Sequence, residues 1–111
     1  MQKESNYVCE CKLCALNTIS KKWAILVIES IGNHEKIRFN GIMENVKGIS
    51  PKSLSNLLKN LQEEELIQRE SFSEIPPRVE YSLTDTGKEL LEILIPIIEW
   101  AKRRDHLYHE I

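Results

Sequence analysis

No stretch of the chain approaches the roughly 18 consecutive apolar residues that a membrane-spanning helix requires. The opening "MQKESNYVCECKLC" also lacks the apolar segment of a secretory signal. A cytoplasmic protein with no membrane partner is the expectation. Glycine is scarce, with four residues in 111. None of them builds a phosphate-cradling loop, and neither a nucleophile-elbow pattern nor H-E-x-x-H occurs. The acids are scattered rather than set beside a base, so neither an enzyme nor a cofactor is expected. Positive charge is not in excess: 15 lysines and arginines face 17 acids, for a net charge of −2. That balance argues against indiscriminate coating of nucleic acid. It leaves room for a local basic surface, because the field at one face and the net charge are different quantities. At 111 residues the chain is read as a single domain, 1–111, short of the size that builds a deep enzyme cleft.

What is present is mostly helical pattern with one interruption. Leu13, Leu16 and Ile19 suggest a short helix. "KKWAILVIESIGNHEK" reads as a strongly apolar helix stopped at Gly32-Asn33. "KIRFNGIMENV" reads as a short extended piece leading into a helix. Gly48 then breaks the chain, Ser50 is a good N-cap, and Pro51 takes the first helical position, where a missing N–H costs nothing. Leu54, Leu57, Leu58 and Leu61 follow at helical spacing on one face.

Two short helices about a glycine-containing turn, spanning about 38–64, make a helix-turn-helix candidate. Away from the leucine stripe stand Lys52, Ser53, Ser55, Asn56, Lys59 and Asn60. From Lys47 to Asn60 there are three lysines and no acid. Such side chains donate to phosphate oxygens, and asparagine also pairs two-pronged with adenine in the major groove. A merely solvated helix face gives the same composition, so this face by itself does not decide. The acids Glu63, Glu64 and Glu65 repel phosphate and end the surface near Asn60.

A hairpin follows, over about 66–83. Ile67 to Phe72 and Val79 to Leu83 alternate apolar and polar residues, the period of a half-buried strand. Between them Pro76 and Pro77 fix φ and remove two donors, so neither strand continues through. Arg78 sits at the base of this stiff tip. Its bland role is a salt bridge to Glu74 or Glu80 that holds the hairpin, and Arg69 on the opposite strand suits either role.

Helix, turn, recognition-type helix and hairpin, in that order, describe a winged helix. The strings "GISPKSLSNLLKNLQEEELIQRE" and "PPRVEYSLTDTGKEL" resemble the signature region of the HxlR-type transcriptional regulators, relatives of the MarR winged-helix proteins. "SKKWAILVI" and "IRFNGIMENVKGIS" resemble the same family's lysine-tryptophan helix and its approach to the helix-turn-helix. The likeness covers roughly residues 9 to 101. It implies a mainly α fold with a small β-hairpin (α+β), a winged helix-turn-helix whose N- and C-terminal helices dimerise. It also implies a homodimer that binds double-stranded DNA sequence-specifically and regulates nearby genes. By position, Ser50, Lys52, Ser55, Asn56 and Lys59 match the family's recognition helix, and Pro76, Pro77 and Arg78 match its wing.

The last segment points to a dimer independently. Thr84 is a good N-cap, and Thr86 with Glu89 offers an alternative capping box. "LLEILIPIIEWA", within a C-terminal helix expected over about 84–104, is apolar nearly all the way round. A domain this small cannot cover such a helix, so a second copy is the expected cover, with Leu90, Leu91, Leu94, Ile97, Ile98 and Trp100 at the interface. Pro96 is expected to kink or split it. A two-fold dimer presents recognition helices to major grooves about 34 Å apart, hence a palindromic operator. A winged-helix module that docks protein instead of DNA is the alternative, and such modules usually lose the basic face kept here by Lys52, Lys59 and Arg78.

Three cysteines crowd the start as "CECKLC": Cys9, Cys11 and Cys14. Members of the family often carry a cysteine near here, commonly before proline, and several use it to sense electrophiles or oxidants. In this chain glutamate or lysine follows Cys9 and Cys11 instead. Lys12, Lys21 and Lys22 favour a thiolate, and Glu10 opposes it. Inert thiols and a sensor for an oxidant effector both remain open. Zinc is the third reading, but it needs a fourth ligand that the sequence does not supply nearby, and the weak H-x-x-H of His106 and His109 reads better as solvent-exposed. A small-molecule effector bound within a dimer is likewise open.

Overall fold

The computed structural model describes the backbone over residues 14–110 and side chains over 14–105. Its elements run α1 (Cys14–Ile19), α2 (Ala24–Gly32), α3 (Phe39–Asn45), α4 (Pro51–Glu63), β1 (Ile67–Phe72), β2 (Arg78–Leu83) and α5 (Asp85–Glu110). The architecture is a winged helix-turn-helix, mainly α with one antiparallel hairpin. Just before α3, Ile37 exchanges backbone hydrogen bonds of 2.9 and 2.8 Å with Tyr81. That bridge fastens the start of the helix-turn-helix to the hairpin.

Local chemistry accounts for the element ends. Ser50 holds extended backbone (φ −85°, ψ 156°), and its Oγ accepts from the Ser53 N–H at 3.1 Å, with Pro51 opening α4. Its other end closes with the Leu66 N–H on the Leu61 carbonyl (3.0 Å) and the Glu65 N–H on the Gln62 carbonyl (2.9 Å). This doubly bonded stop usually carries glycine in the left-handed position. Here Glu65 adopts it, at φ 61°.

Three expectations are corrected, at Trp23, Gly32 and Pro96. Trp23 precedes α2 rather than lying in it. Gly32 ends α2, but the next residue, Asn33, stays right-handed at φ −76°, so no left-handed cap calls for glycine. A Cβ at Gly32 would displace the end of the Leu91 side chain and stand 3.0 Å from Leu83. Of the two caps offered for α5, Thr84 is realised, its Oγ1 accepting from the Gly87 N–H at 3.0 Å. Pro96 does not split α5, which continues as one helix through it.

The core gathers Ala24, Val27, Ile28 and Ile31 of α2, Ile42 of α3 and the leucine stripe of α4. Ile37, Val46, Ile49, Leu66, Ile67, Tyr81, Leu83, Leu94 and Ile98 complete it. Burial of the four α4 leucines leaves the opposite face of that helix to solvent, which is what makes it available to a partner.

Candidate nucleic-acid interface

With 3.6 residues per turn, the buried Leu54, Leu57, Leu58 and Leu61 force Lys52, Asn56 and Lys59 onto the centre of the outer face of α4. Ser55 flanks them on one edge, and Ser53 and Asn60 on the other. Lys52, Ser53, Ser55, Asn56 and Lys59 are all exposed. Ser50 is exposed as well, but its hydroxyl already serves as the cap, so its first role is to hold the helix start.

Charge is distributed unevenly over the described residues. Lys36 is bound to Glu70 at 3.0 Å and Lys102 to Glu29 at 3.2 Å, while Arg78 lies 3.2 Å from Glu74 and 3.4 Å from Glu80. The hydrogen bond and charge of Glu70 hold the Lys36 ammonium above the ordinary lysine range. Among the described residues, Lys47, Lys52 and Lys59 have no carboxylate partner. The lysines of the helix-turn-helix are thus without carboxylate partners among the described residues, as are Lys21, Lys22 and Arg69, whereas Lys36, Arg78 and Lys102 are paired within the chain.

The hairpin tip comprises residues 73–77, with Pro76 and Pro77 both exposed. Arg78 takes the geometry of the bland role: its guanidinium sits 4.1 Å from the Phe72 ring centroid and between two carboxylates. Its side chain is 29% exposed, and Nε is buried with no hydrogen bond of good geometry. Register explains this arrangement. Phe72 pairs with Arg78 and Glu70 with Glu80, so they share the strand face opposite that of the Ile67–Leu83 and Arg69–Tyr81 pairs. Arg69 lies on the core-side face, exposed and without an ion-pair partner among the described residues.

The six residues assigned to a dimer interface divide. Leu94 and Ile98 are only 4% and 6% exposed, so they belong to the chain's own core. Leu90 and Leu91 pack against that core, half-buried. Ile97 and Trp100 remain exposed at 51% and 56%, joined on the same helical row by Ile93 at 62%, which periodicity alone did not single out. Apolar grooves flank this row. One of about 220 Å³ includes Ala15, Ile19, Leu90 and Ile93, and another of about 320 Å³ includes Ile25, Leu26, Ile97 and Ala101.

Cys14 opens α1 and is exposed. Cys9 and Cys11 lie outside the described residues, as do the side chains of His106 and His109. Among the described residues no cluster of histidine, cysteine and acid fits a metal ion, and no helix is long and apolar enough to cross a membrane. Sequence reasoning also missed what lies beside α4. Lys21 and Lys22 line a cleft of about 200 Å³ with Ser53, Asn56 and Asn60. The only signal for them is the lysine pair before Trp23, which in the sequence reads as a neighbour of the thiols.

Comparison with known proteins agrees with this geometry. Residues 18–107 match the family model of the HxlR-like helix-turn-helix. An uncharacterized HTH-type transcriptional regulator of Methanothermobacter thermautotrophicus is 37% identical over 99 residues, spanning 89% of this chain and 74% of that protein. Among solved structures, the redox regulator HypR in its reduced form superposes with a TM-score of 0.76 at 28% identity, over 87% of this chain and 95% of HypR. A structure described as a possible HxlR family transcriptional factor from Thermoplasma volcanium also gives 0.76, at 29% identity over 82% and 81% of the two chains.

Proposed function

The chain belongs to the HxlR-like helix-turn-helix family and is a transcriptional regulator of that type; on that premise we propose that it acts as a homodimer reading a palindromic operator through α4. The observation that carries the reading is the outer face of α4: Lys52, Asn56 and Lys59 on one exposed row, with no carboxylate partner among the described residues. Lysines without internal partners release counterions when they meet phosphates, and Asn56 adds a side chain able to read adenine. Pro76 and Pro77 at the hairpin tip lie against the DNA backbone. Arg78 reaches a phosphate only by leaving Glu74 and Glu80.

The second copy docks on the exposed row of Ile93, Ile97 and Trp100 and enters the grooves on either side of it. A charged or polar residue at these positions would serve an isolated monomer better. The cysteines at the start of the chain respond to oxidant or electrophile. The likeness to HypR, a redox regulator, and the exposure of Cys14 support this part of the reading.

Fluorescence anisotropy tests it. The protein is titrated onto DNA from upstream of its own gene and onto random DNA, at two salt concentrations, reduced and after diamide. Salt-dependent preference for the upstream DNA is expected, with a change on oxidation. Equal weak binding to both DNAs would favour the protein-docking alternative.

A further inference from the structure

We propose that Lys21 and Lys22 form a second phosphate-binding station that grips the DNA strand beside the recognition helix; this rests on the DNA reading above. The pair lies in the turn between α1 and α2, outside the helix-turn-helix. That turn is fixed by backbone hydrogen bonds, from the Lys21 N–H to the Thr18 carbonyl (3.3 Å) and from the Ala24 N–H to the Lys21 carbonyl (3.0 Å). It is also pinned to the helix-turn-helix itself. The Trp23 ring lies 3.3 Å from where a Cβ would stand on Gly48, the residue at φ +96° between α3 and α4. Any side chain there would meet both steric strain and the indole, so Gly48 and Trp23 fit as a pair. The Lys22 ammonium rests 5.1 Å from the centroid of the same ring, which limits where its charge can go.

This packing sets the lysines against one edge of α4. Lys21, Lys22 and Trp23 share their cleft with Ser53, Asn56, Leu57 and Asn60, and no acid lines it. Both lysines are exposed, and neither has a carboxylate partner among the described residues. A helix in the major groove has a phosphate backbone passing along each edge. Ser53 and Asn60 mark one such edge here, and the lysine pair stands where that strand runs. Lysine recognises phosphate as a point charge and carries no base code. The station therefore adds affinity without adding specificity. It also raises the lysines on this side from three to five per chain, which offsets the net acidity of the whole molecule.

The full-length K21Q/K22Q variant separates this from other roles, because glutamine keeps a stem over Trp23 while removing the charge. Binding is measured by anisotropy across a salt series, on operator and on random DNA. Affinity should fall on the order of tenfold on both DNAs, and their ratio should hold. The slope of log K against log salt should flatten by about 0.9 for each phosphate that the variant no longer neutralises. K21R/K22R should restore the wild-type slope. An unchanged slope, or a weakening confined to the operator, overturns the proposal. A wild-type protein with no salt-dependent DNA binding defeats the DNA reading instead. An unchanged melting temperature in the glutamine variant confirms that charge, and not folding, was altered.

Discussion

The Thr84 hydroxyl donates to the Glu65 carbonyl at 2.6 Å and accepts from the Gly87 N–H at 3.0 Å. One side chain thus joins the turn that ends α4 to the start of α5. The Thr84 N–H adds a 3.1 Å bond to the Leu66 carbonyl. Three hydrogen bonds at this corner tie the chain leaving α4 to the start of α5. Thr84→Val, which keeps the shape and removes both hydroxyl bonds, should cost about 1–2 kcal/mol in urea unfolding. Thr84→Ser should recover most of it. Equal stability of all three proteins would show that the corner is held by packing alone.

Gly87 belongs to the same corner. A Cβ there would collide with the Leu66 carbonyl and stand 3.2 Å from Leu83. Gly87→Ala is expected to destabilise by about 2 kcal/mol, although alanine is the better helix former. A rise in melting temperature would contradict this close approach.

Glu65 offers the opposite change. It holds φ 61°, a left-handed conformation that costs a non-glycine residue about 1–2 kcal/mol. Glu65→Gly should stabilise by about 1 kcal/mol after the extra freedom of glycine in the unfolded chain is counted. The carbonyl that receives Thr84 is backbone and survives the change. Chemical denaturation is the check, with a lower midpoint the contrary result.

For the recognition face, Lys52→Ala with Lys59→Ala should weaken DNA binding and flatten the salt slope by about 0.9 per lysine, with circular dichroism unchanged. The double variant binding like wild type would remove α4 from the interface.

The dimer row predicts a contrast between neighbours in sequence. Ile97→Glu should dissociate the dimer in analytical ultracentrifugation while the chain stays folded, because Ile97 is exposed in the single chain. Ile98→Ala, at a core position, should cost about 2–5 kcal/mol of stability. A monomeric wild type would end the dimer proposal.

Much of this is legible in local sequence. The Ser50-Pro51 start depends on the residues beside it, and so does the stop imposed by Pro76-Pro77; both need only nearest-neighbour backbone chemistry. The leucine stripe of α4 tells which face is buried because its period is unambiguous. The apolar C-terminal segment tells that α5 needs cover on two sides, but not which residue faces which cover. Periodicity ranks positions around a helix without naming the neighbour, so only the packing of α2 against α5 separates Leu94 and Ile98 from Ile97 and Trp100.

The sequence by itself determined the order of elements, the helix-turn-helix and its polar face, because caps, breakers and hydrophobic period act over a few residues. Only the tertiary structure decided which charges are available. Arg78 finds Glu80 and Phe72 through strand register, and Lys36 meets Glu70 from 34 positions away. Lys21 and Lys22 reach the edge of α4 because Trp23 fits over Gly48. Coulomb interactions depend on distance through space, and that distance is fixed by packing between segments remote in the chain.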